Sequence, residues 1–415
     1  MKTKIIVIVG GGPAGMISAI RAGELSQKVI LLEKKSSLGI KLLLSGKGRC
    51  NLTNACSLEA FLKRFSKNGE FLRDSFKKFF NHELIDFFQR NGLKLKTERQ
   101  FRVFPVTDSS KSVLDVLNSE LLKNNVKVIY NVQVKDIVVE GGKVKEAVLT
   151  ANKKIPCDKI ILATGGVSYP LTGSSGDGLR IAKALGHKVT DLRPGLVPLE
   201  TRENYPKRIE GLTLKNIRLT FTCDRKEITS EVGELLFTGF GVSGPLVLTL
   251  SGRIAEWLRA GEKVFLDIDL KPALTEEKLN ERLLREFKTG AKKNLKNTLK
   301  ELLPLRLVDL SLEILKIDPR KQASYVTQEE RRRLVLFLKG FRLEIKDSLP
   351  IETGMVTRGG VSLKEINPRT MESRIIKGLY FAGEIIDVDA DTGGFNLQAA
   401  FSTGYLAGES AALAE

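Results

Sequence analysis

The first residues able to do chemistry are Gly10-Gly11-Gly12-Pro13-Ala14-Gly15, a GxGxxG string, with an acid, Glu33, 18 residues after Gly15. The string alone is weak evidence, and its context strengthens it. KIIVIV before it reads as a buried strand. Met16, Ala19, Ile20 and Gly23 recur at helical spacing after it, and VILLE reads as the next strand. Gly10 permits a tight turn, Gly12 lets the backbone approach a pyrophosphate, and Gly15 lets the helix pack on the strand. Pro13 and Ala14 open a helix whose N-terminus faces the phosphate charge, and the Glu33 carboxylate can accept from ribose hydroxyls. A chance glycine turn would account for the glycines but not for strand, helix and acid together. The chemistry implied is dinucleotide binding, with NAD and FAD both open.

A second constellation is Gly39-Ile40-Lys41 followed by Ser45-Gly46-Lys47-Gly48-Arg49-Cys50-Asn51-Leu52-Thr53-Asn54. Glycines mixed with serine, lysine, arginine and asparagine make an anion-contacting loop beside a phosphate-binding fold. Lys41, Ser45, Gly48, Arg49, Cys50 and Asn51 are its candidate contacts. Cys50 has two readings: a thiol placed to protonate a substrate carbon as general acid, or a small buried residue packing under the loop. The four cysteines, Cys50, Cys56, Cys157 and Cys223, form no CxxC pair, which excludes a redox disulfide and fits a reducing cytosol. Two histidines, His82 and His187, are too few for a histidine-based metal site, so no metal is expected. Gly239-Phe240-Gly241-Val242-Ser243-Gly244 is a literal second GxGxxG, with Asp267 further on. No strand-helix-strand alternation surrounds it, and Pro245 reads as a helix start after a turn, so a nicotinamide site is not expected there.

The remainder of the chain chooses between the dinucleotides. IILATGG (Ile160 to Gly166) and GLYFAGEIID (Gly378 to Asp387) match the second and third elements of flavoproteins resembling the glutathione reductase superfamily. Together with the 45–54 string, the blocks ATGGVSYPLTGSSGDG (163–178), LFTGFGVSGP (236–245), TRGGV (357–361) and the stretch 382–404 closely resemble the BaiN/YhiN-like NAD(P)/FAD-dependent oxidoreductases. The matching blocks span nearly the full length. The resemblance implies FAD, a β-barrel-like insert and a helical insert. It implies that Gly383 and Glu384 face the ribityl chain or pyrophosphate, with Asp387 a second candidate. The candidate cofactor contacts also take in Lys34, Val134 and Ala163-Thr164-Gly165-Gly166. They end with Gly394, Phe395, Asn396 and Leu397, where the N–H groups of a helix start suit negative charge on a reduced flavin. Activities assigned in the family are reduction of a uridine of large-subunit ribosomal RNA to dihydrouridine, reduction of a steroid double bond, and oxidation of a small amino ketone. Each can be written as hydride transfer to or from a flavin, with NAD(P)H as a transient donor. One departure is the run Glu384 to Asp391, where the family pattern has a small residue or Pro nearer Asp391.

The elements that must position these residues describe an α/β chain: a discontinuous Rossmann-type FAD-binding domain with an inserted β-barrel-like subdomain and an inserted helical subdomain. A chain of 415 residues calls for two or three domains. The expected segments are 1–192 for the first part of the FAD domain, 193–272 for the barrel-like insert, 273–345 for the helical insert and 346–415 for the return. Leu58 to Asn91 reads as helical, VKVIYNVQV and KVKEAVLTA as strands, TLKNIRLTFTC, EITSEVGELLFT and KVFLDIDL as an antiparallel sheet or barrel, and Glu276 to Leu343 as mostly helical. No apolar run reaches membrane-spanning length, so a cytoplasmic protein without a membrane partner is expected. The net charge of +18 predicts attraction to polyanions and equally suits a generically soluble basic surface. In the insert, Arg282, Arg285, Lys288, Lys292, Lys293, Lys296 and Lys300 recur at helical spacing, and Arg331-Arg332-Arg333 forms a second cluster, although interleaved acids also suit a plain solvated face. Three functions follow: reduction of a uridine in 23S ribosomal RNA, small-molecule flavin chemistry (an ene reductase or an amine oxidase), or RNA binding with a structural FAD. The sequence leaves the oligomeric state open.

Overall fold

The computed structural model describes residues 3–150, 152–224 and 226–414. The chain divides into two compact units, Met1–Gly195 with Ile351–Glu415, and Leu196–Pro350. In the first, β1 (Ile5–Val9), β2 (Lys28–Leu32), β3 (Lys127–Ile129), β4 (Lys159–Leu162) and β5 (Leu379–Phe381) form one parallel sheet in the order β5-β4-β1-β2-β3. Apart from the edge strand β3, which is exposed or half-buried, these strands are short, largely apolar runs buried on both faces, as a parallel sheet covered on both sides demands. Val9 lies opposite both Leu32 and Leu162, and Leu162 opposite Phe381. The residues that follow, Gly10, Glu33, Ala163 and Ala382, therefore leave the sheet along one rim. The chain winds outward from β1 in both directions, so that rim is the switch point where open α/β sheets bind ligands.

Helix α1 (Pro13–Glu24) follows β1, and α2 (Phe395–Leu413) closes the chain against it. Their contact is built from small residues. A Cβ on Gly404 would lie 2.4 Å from the Ala14 carbonyl oxygen, and one on Gly408 would lie 2.4 Å from that of Ser18. The Ser18 hydroxyl donates to the Gly404 carbonyl at 2.7 Å. The stretch 58–91 forms helices Leu58–Leu62, Arg73–Lys78 and Asn81–Arg90, knitted by Phe61, Phe65, Phe76 and Phe80. VKVIYNVQV proves to be two elements, β3 and the start of strand Val134–Glu140. KVKEAVLTA forms the strand Lys143–Leu149, and its last residue, Ala151, lies outside the described residues.

In the second unit six antiparallel strands close on themselves. Thr213–Cys223 pairs with Gly233–Thr238, that with Gly241–Ser243, then Leu199–Thr201, Phe341–Ser348 and Val264–Asp269, which returns to Thr213–Cys223. Lys226–Thr229 hairpins onto the outside of Thr213–Cys223. EITSEVGELLFT is thus two strands rather than one. Its α-helices among the described residues are Tyr205–Arg208, Pro245–Arg259, Glu276–Thr289, Leu295–Leu299, Leu305–Ile314 and Gln328–Lys339. Barrel and helices share one core, in which Phe221, Leu266 and Phe341 join Leu279, Leu283 and Phe337.

Two expectations need correction here. The helical stretch ends before Leu343, because Phe341–Ser348 buries alternate residues, the strand period, and completes the barrel. The basic residues from Arg282 to Lys300 do not run along one helix either. Glu276–Thr289 stops at Gly290, whose missing Cβ would meet Thr298 Oγ1 at 2.8 Å, and Lys292 and Lys293 lie in the turn beyond. Among the described residues no helix is long and apolar enough to cross a membrane.

Candidate active site

The glycine turn after β1 has the shape its spacing implies. Gly10 takes φ 106°, and a Cβ there would lie 2.5 Å from the Ala163 carbonyl oxygen, so β1 and β4 part around a residue without a side chain. A Cβ on Gly15 would lie 1.8 Å from the Gly10 carbonyl oxygen, which fixes α1 against the strand end. Gly12 differs: a Cβ there would meet nothing within 4 Å. The turn is packed at Gly10 and Gly15 and open at Gly12, which caps α1 with no side chain over its first N–H groups. Pro13 and Ala14 start the helix, and Ala14 also stands 2.8 Å from where a Gly383 Cβ would be. Glu33 is buried at the end of β2. Its carboxylate accepts from the Gly11 N–H at 2.7 Å and the Lys35 N–H at 2.8 Å, which holds it beside the turn.

Other expected contacts are drawn into the protein's own bonds. The Lys34 ammonium pairs with Asp177 at 2.8 Å and with the Ser175 hydroxyl. The Arg49 guanidinium donates to Asp108 at 2.7 Å, pairs with Glu98, and lies 4.2 Å over the Phe104 ring. Held by two carboxylates, it is engaged within the protein rather than presented to an anion. Val134 is buried at the start of its strand, two residues beyond Val132, whose N–H donates to the Glu33 carbonyl.

Lys41 and Glu384 come together across the chain. Lys41 Nζ donates to Glu384 Oε2 and to the Ser168 hydroxyl, each at 2.7 Å. Glu384 Oε1 accepts from the Thr357 N–H at 2.7 Å and from Ser168 at 3.1 Å. The Thr357 hydroxyl accepts from the Val167 N–H at 2.8 Å, and a Cβ on Gly166 would come within 2.3 Å of it. Ser168 and Thr357 were not among the expected residues, though both lie within the sequence blocks 163–178 and 357–361. Asp387 stays outside this network: its N–H donates to the Val361 carbonyl and its own carbonyl accepts from Asn68.

The loop 45–50 is tightly wound. Gly46, Lys47, Gly48 and Cys50 all take positive φ, two of them without being glycine, a strain that persists only where the surroundings fix it. The Ser45 carbonyl accepts from the Cys50 N–H, and the Cys50 side chain is fully buried. Burial pushes the thiol up to about 12, against a smaller opposing pull from Ser45. The thiol faces the core, which supports its packing role. At the far end of the site, Gly394 takes φ 96°, and a Cβ there would lie 2.5 Å from the Thr53 backbone, so both demands fall on glycine. Phe395 packs edge-on against Phe61, and the Asn396 amide clamps the Ala390 backbone from both sides. Leu397 packs against the core. With these side chains turned inward and no side-chain cap, the first N–H groups of the 19-residue α2 offer a partial positive charge.

An elongated dinucleotide fits these residues. Gly12 leaves an open cradle at one helix N-terminus, α2 offers a second, and two buried polar atoms in the expected loops, Asn51 Oδ1 and Thr164 Oγ1, have no hydrogen-bond partner among the described residues. The second GxGxxG also precedes a helix, Pro245–Arg259, but leaves no open cradle: Gly239 and Phe240 link two antiparallel strands, a Cβ on Gly241 would lie 2.2 Å from the Leu199 carbonyl oxygen and one on Gly244 2.8 Å from the Leu236 nitrogen, and Asp267 pairs with Arg342 at 2.7 Å.

The chain is 32% identical over 414 residues to the 3-dehydro-bile acid delta(4,6)-reductase of Clostridium scindens, covering 98% of each. It is 30% identical over 404 residues to the ribosomal RNA dihydrouridine synthase of Escherichia coli, covering 96% of each. Its fold is similar to that of the 3-ketosteroid delta1-dehydrogenase of Sterolibacterium denitrificans, with a TM-score of 0.57, 13% identity and 100% of both chains covered. The model of the HI0933-like protein Rossmann domain matches residues 4–410, and the chain belongs to this family of FAD-dependent oxidoreductases.

Proposed function

We propose that the protein reduces a uridine of 23S ribosomal RNA to dihydrouridine at the expense of NAD(P)H. FAD, when bound, supplies the hydride, taken from a nicotinamide that binds and leaves. The reaction balances as NAD(P)H, a proton and uridine giving NAD(P)⁺ and dihydrouridine: the C5–C6 double bond is reduced, with hydride at C6 and the proton at C5. On this reading Gly10, Gly12, Gly15 and Glu33 hold the adenosine and pyrophosphate half of the cofactor. The uncapped start of α2, at Gly394 to Leu397, faces the end that gathers negative charge. Lys41 and Glu384 neutralise each other and set the two loops between which the cofactor lies. Cys50 supports the loop from beneath and moves no proton.

The observation that carries the RNA reading is the charge. A net +18 adds little to the binding of an uncharged ring, whereas phosphates are attracted by it. The chain's similarity along its length to a ribosomal RNA dihydrouridine synthase supports the same choice. A second reading, reduction of an enone on a small steroid-like molecule, is supported by the likeness to the bile acid reductase. The two substrates share an alkene conjugated to a carbonyl, so one cofactor geometry serves both. Quantifying dihydrouridine in 23S ribosomal RNA from cells lacking the protein tests the proposal. Loss of one modified position, restored by the gene, is the expected outcome. Unchanged dihydrouridine, with a steroid dienone reduced by the purified protein, would transfer the assignment to the second reading.

A further inference from the structure

Between strands Leu95–Thr97 and Arg102–Pro105 the chain turns through Arg99, Gln100 and Phe101. Gln100 and Phe101 take φ of 60° and 58°, although neither is glycine. The turn presents the Phe101 ring to solvent, 61% exposed. It is firmly held all the same. The Ala55 N–H donates to the Phe101 carbonyl at 2.8 Å, the Glu98 N–H to the Arg102 carbonyl at 2.8 Å, and the Asn54 amide to the Gln100 carbonyl at 3.0 Å. The same Asn54 amide also donates, at 3.2 Å, to the carbonyl of Gly393, just before α2. One side chain thus ties the turn that carries Phe101 to the helix end assigned to the cofactor.

The charges of the same turn favour an anion. Arg99 is exposed, and Arg102 bends back to donate to the Arg99 carbonyl at 3.2 Å, with its guanidinium 5.9 Å from the Phe104 ring. The nearby acids Glu98 and Asp108 are already occupied by Arg49 and Lys96. An exposed aromatic ring on a firmly held backbone, in a turn that also carries the exposed Arg99, suits an unpaired base, which stacks on the ring while a neighbouring phosphate meets the guanidinium. We infer that Phe101 is a stacking platform for an unpaired base of the RNA substrate and that Arg99 meets an adjacent phosphate. The inference rests on the RNA reading above and names the surface that would receive the base.

The test uses the FAD-loaded protein, with oligouridylate binding followed by fluorescence anisotropy and kcat and KM measured on a 23S ribosomal RNA transcript. FAD content and melting temperature monitor folding in each variant. Phe101→Ala should weaken oligouridylate binding roughly tenfold or more and raise KM more than it lowers kcat. Phe101→Leu, which keeps the apolar bulk but not the π face, should behave like Phe101→Ala, and Phe101→Trp should restore binding. Arg99→Ala should flatten the salt dependence of binding by about one unit of slope. If the wild type reduces the transcript and Phe101→Ala binds oligouridylate equally well, the inference falls and the RNA reading stands. A wild type that does not reduce the transcript at all overturns the RNA reading and this inference with it. A Phe101→Ala variant that splits a dimer while binding oligouridylate normally would assign the ring to self-association and overturn the inference too.

Discussion

Residues of one type, a few positions apart, answer to different demands. Gly15 packs against the Gly10 carbonyl, so Gly15→Val would push α1 off the strand. Gly12 faces open space, so Gly12→Val should fold with a stability within about 0.5 kcal/mol of wild type and still lose its FAD, because the isopropyl group fills the cradle. Flavin absorbance of the purified variant together with its melting curve checks this; a normal flavin content would remove the pyrophosphate from Gly12. Cys50 yields a prediction of the opposite kind. Its thiol, buried and pushed up to about 12, stays protonated and out of reach. Native protein should resist iodoacetamide at Cys50 at pH 8, and Cys50→Ala should retain turnover within about threefold, with no limb of the pH profile altered. A hundredfold loss at normal FAD content would restore the general-acid role, whose usual contribution is of that size. The shape of the glycine turn and the place of Glu33 beside it were legible in the sequence because backbone approach and strand spacing are local properties. The ion pairs of Lys34 and Arg49 were not, because Asp177, Glu98 and Asp108 lie far along the chain and only folding brings them near. Ser168, Thr357 and Asn54 escaped for the same reason: a lone hydroxyl or amide announces nothing until its partners are in place.

Elements show the same division. The strands of the parallel sheet could be read because apolar runs ending in glycine or acid have few other uses. The strand Phe341–Ser348 could not, since its charged alternate residues follow a long helical stretch and its period of two extends over only eight residues. The break at Gly290 was equally hidden among lysines whose spacing suits a continued helix. The packing of α1 on α2 was half legible. Glycine and alanine in the last helix are plain in the sequence, but which face they serve depends on Ala14 and Ser18 opposite. A side chain at Gly404 would strike the Ala14 carbonyl, in the helix whose first turn we propose holds the pyrophosphate. Gly404→Val should therefore cost about 1–3 kcal/mol of stability and weaken FAD binding along with it. Gly404→Ala should show the same pair of effects, smaller. Denaturant melts of the apoprotein, compared with FAD titrations, check the coupling. A variant that loses stability but binds FAD normally would show that this helix contact does not reach the cofactor turn.

For the whole molecule the open matter is where the positive charge acts. The excess of lysine and arginine is not confined to the insert; the larger share belongs to the cofactor-binding unit. Within the second unit many cations are spent internally. Arg208 pairs with Glu313, Lys339 with Asp269, Arg342 with Asp267, and Lys346 with Glu200. In the triple-arginine cluster, Arg331 donates to Asn280 and Arg333 to the Leu315 carbonyl, so that cluster braces helices more than it faces solvent. Lys296 pairs with Asp309 at 2.6 Å, and a glutamate there would set two carboxylates against each other. Lys292 and Lys293 are exposed, with no carboxylate partner among the described residues, and stand in a turn where reversing their charge disturbs no helix. They therefore isolate the electrostatic contribution. The double variant Lys292→Glu, Lys293→Glu should keep its FAD content and melting temperature. If this turn meets RNA, its binding to 23S ribosomal RNA should weaken, and the slope of log affinity against log salt should flatten by roughly two. Phosphate contacts act uniformly over sequence, so the loss should appear with any RNA of similar length and fade at high salt. Equal slopes for variant and wild type would move the RNA surface off this turn and onto the cations of the cofactor-binding unit, Arg99 first among them.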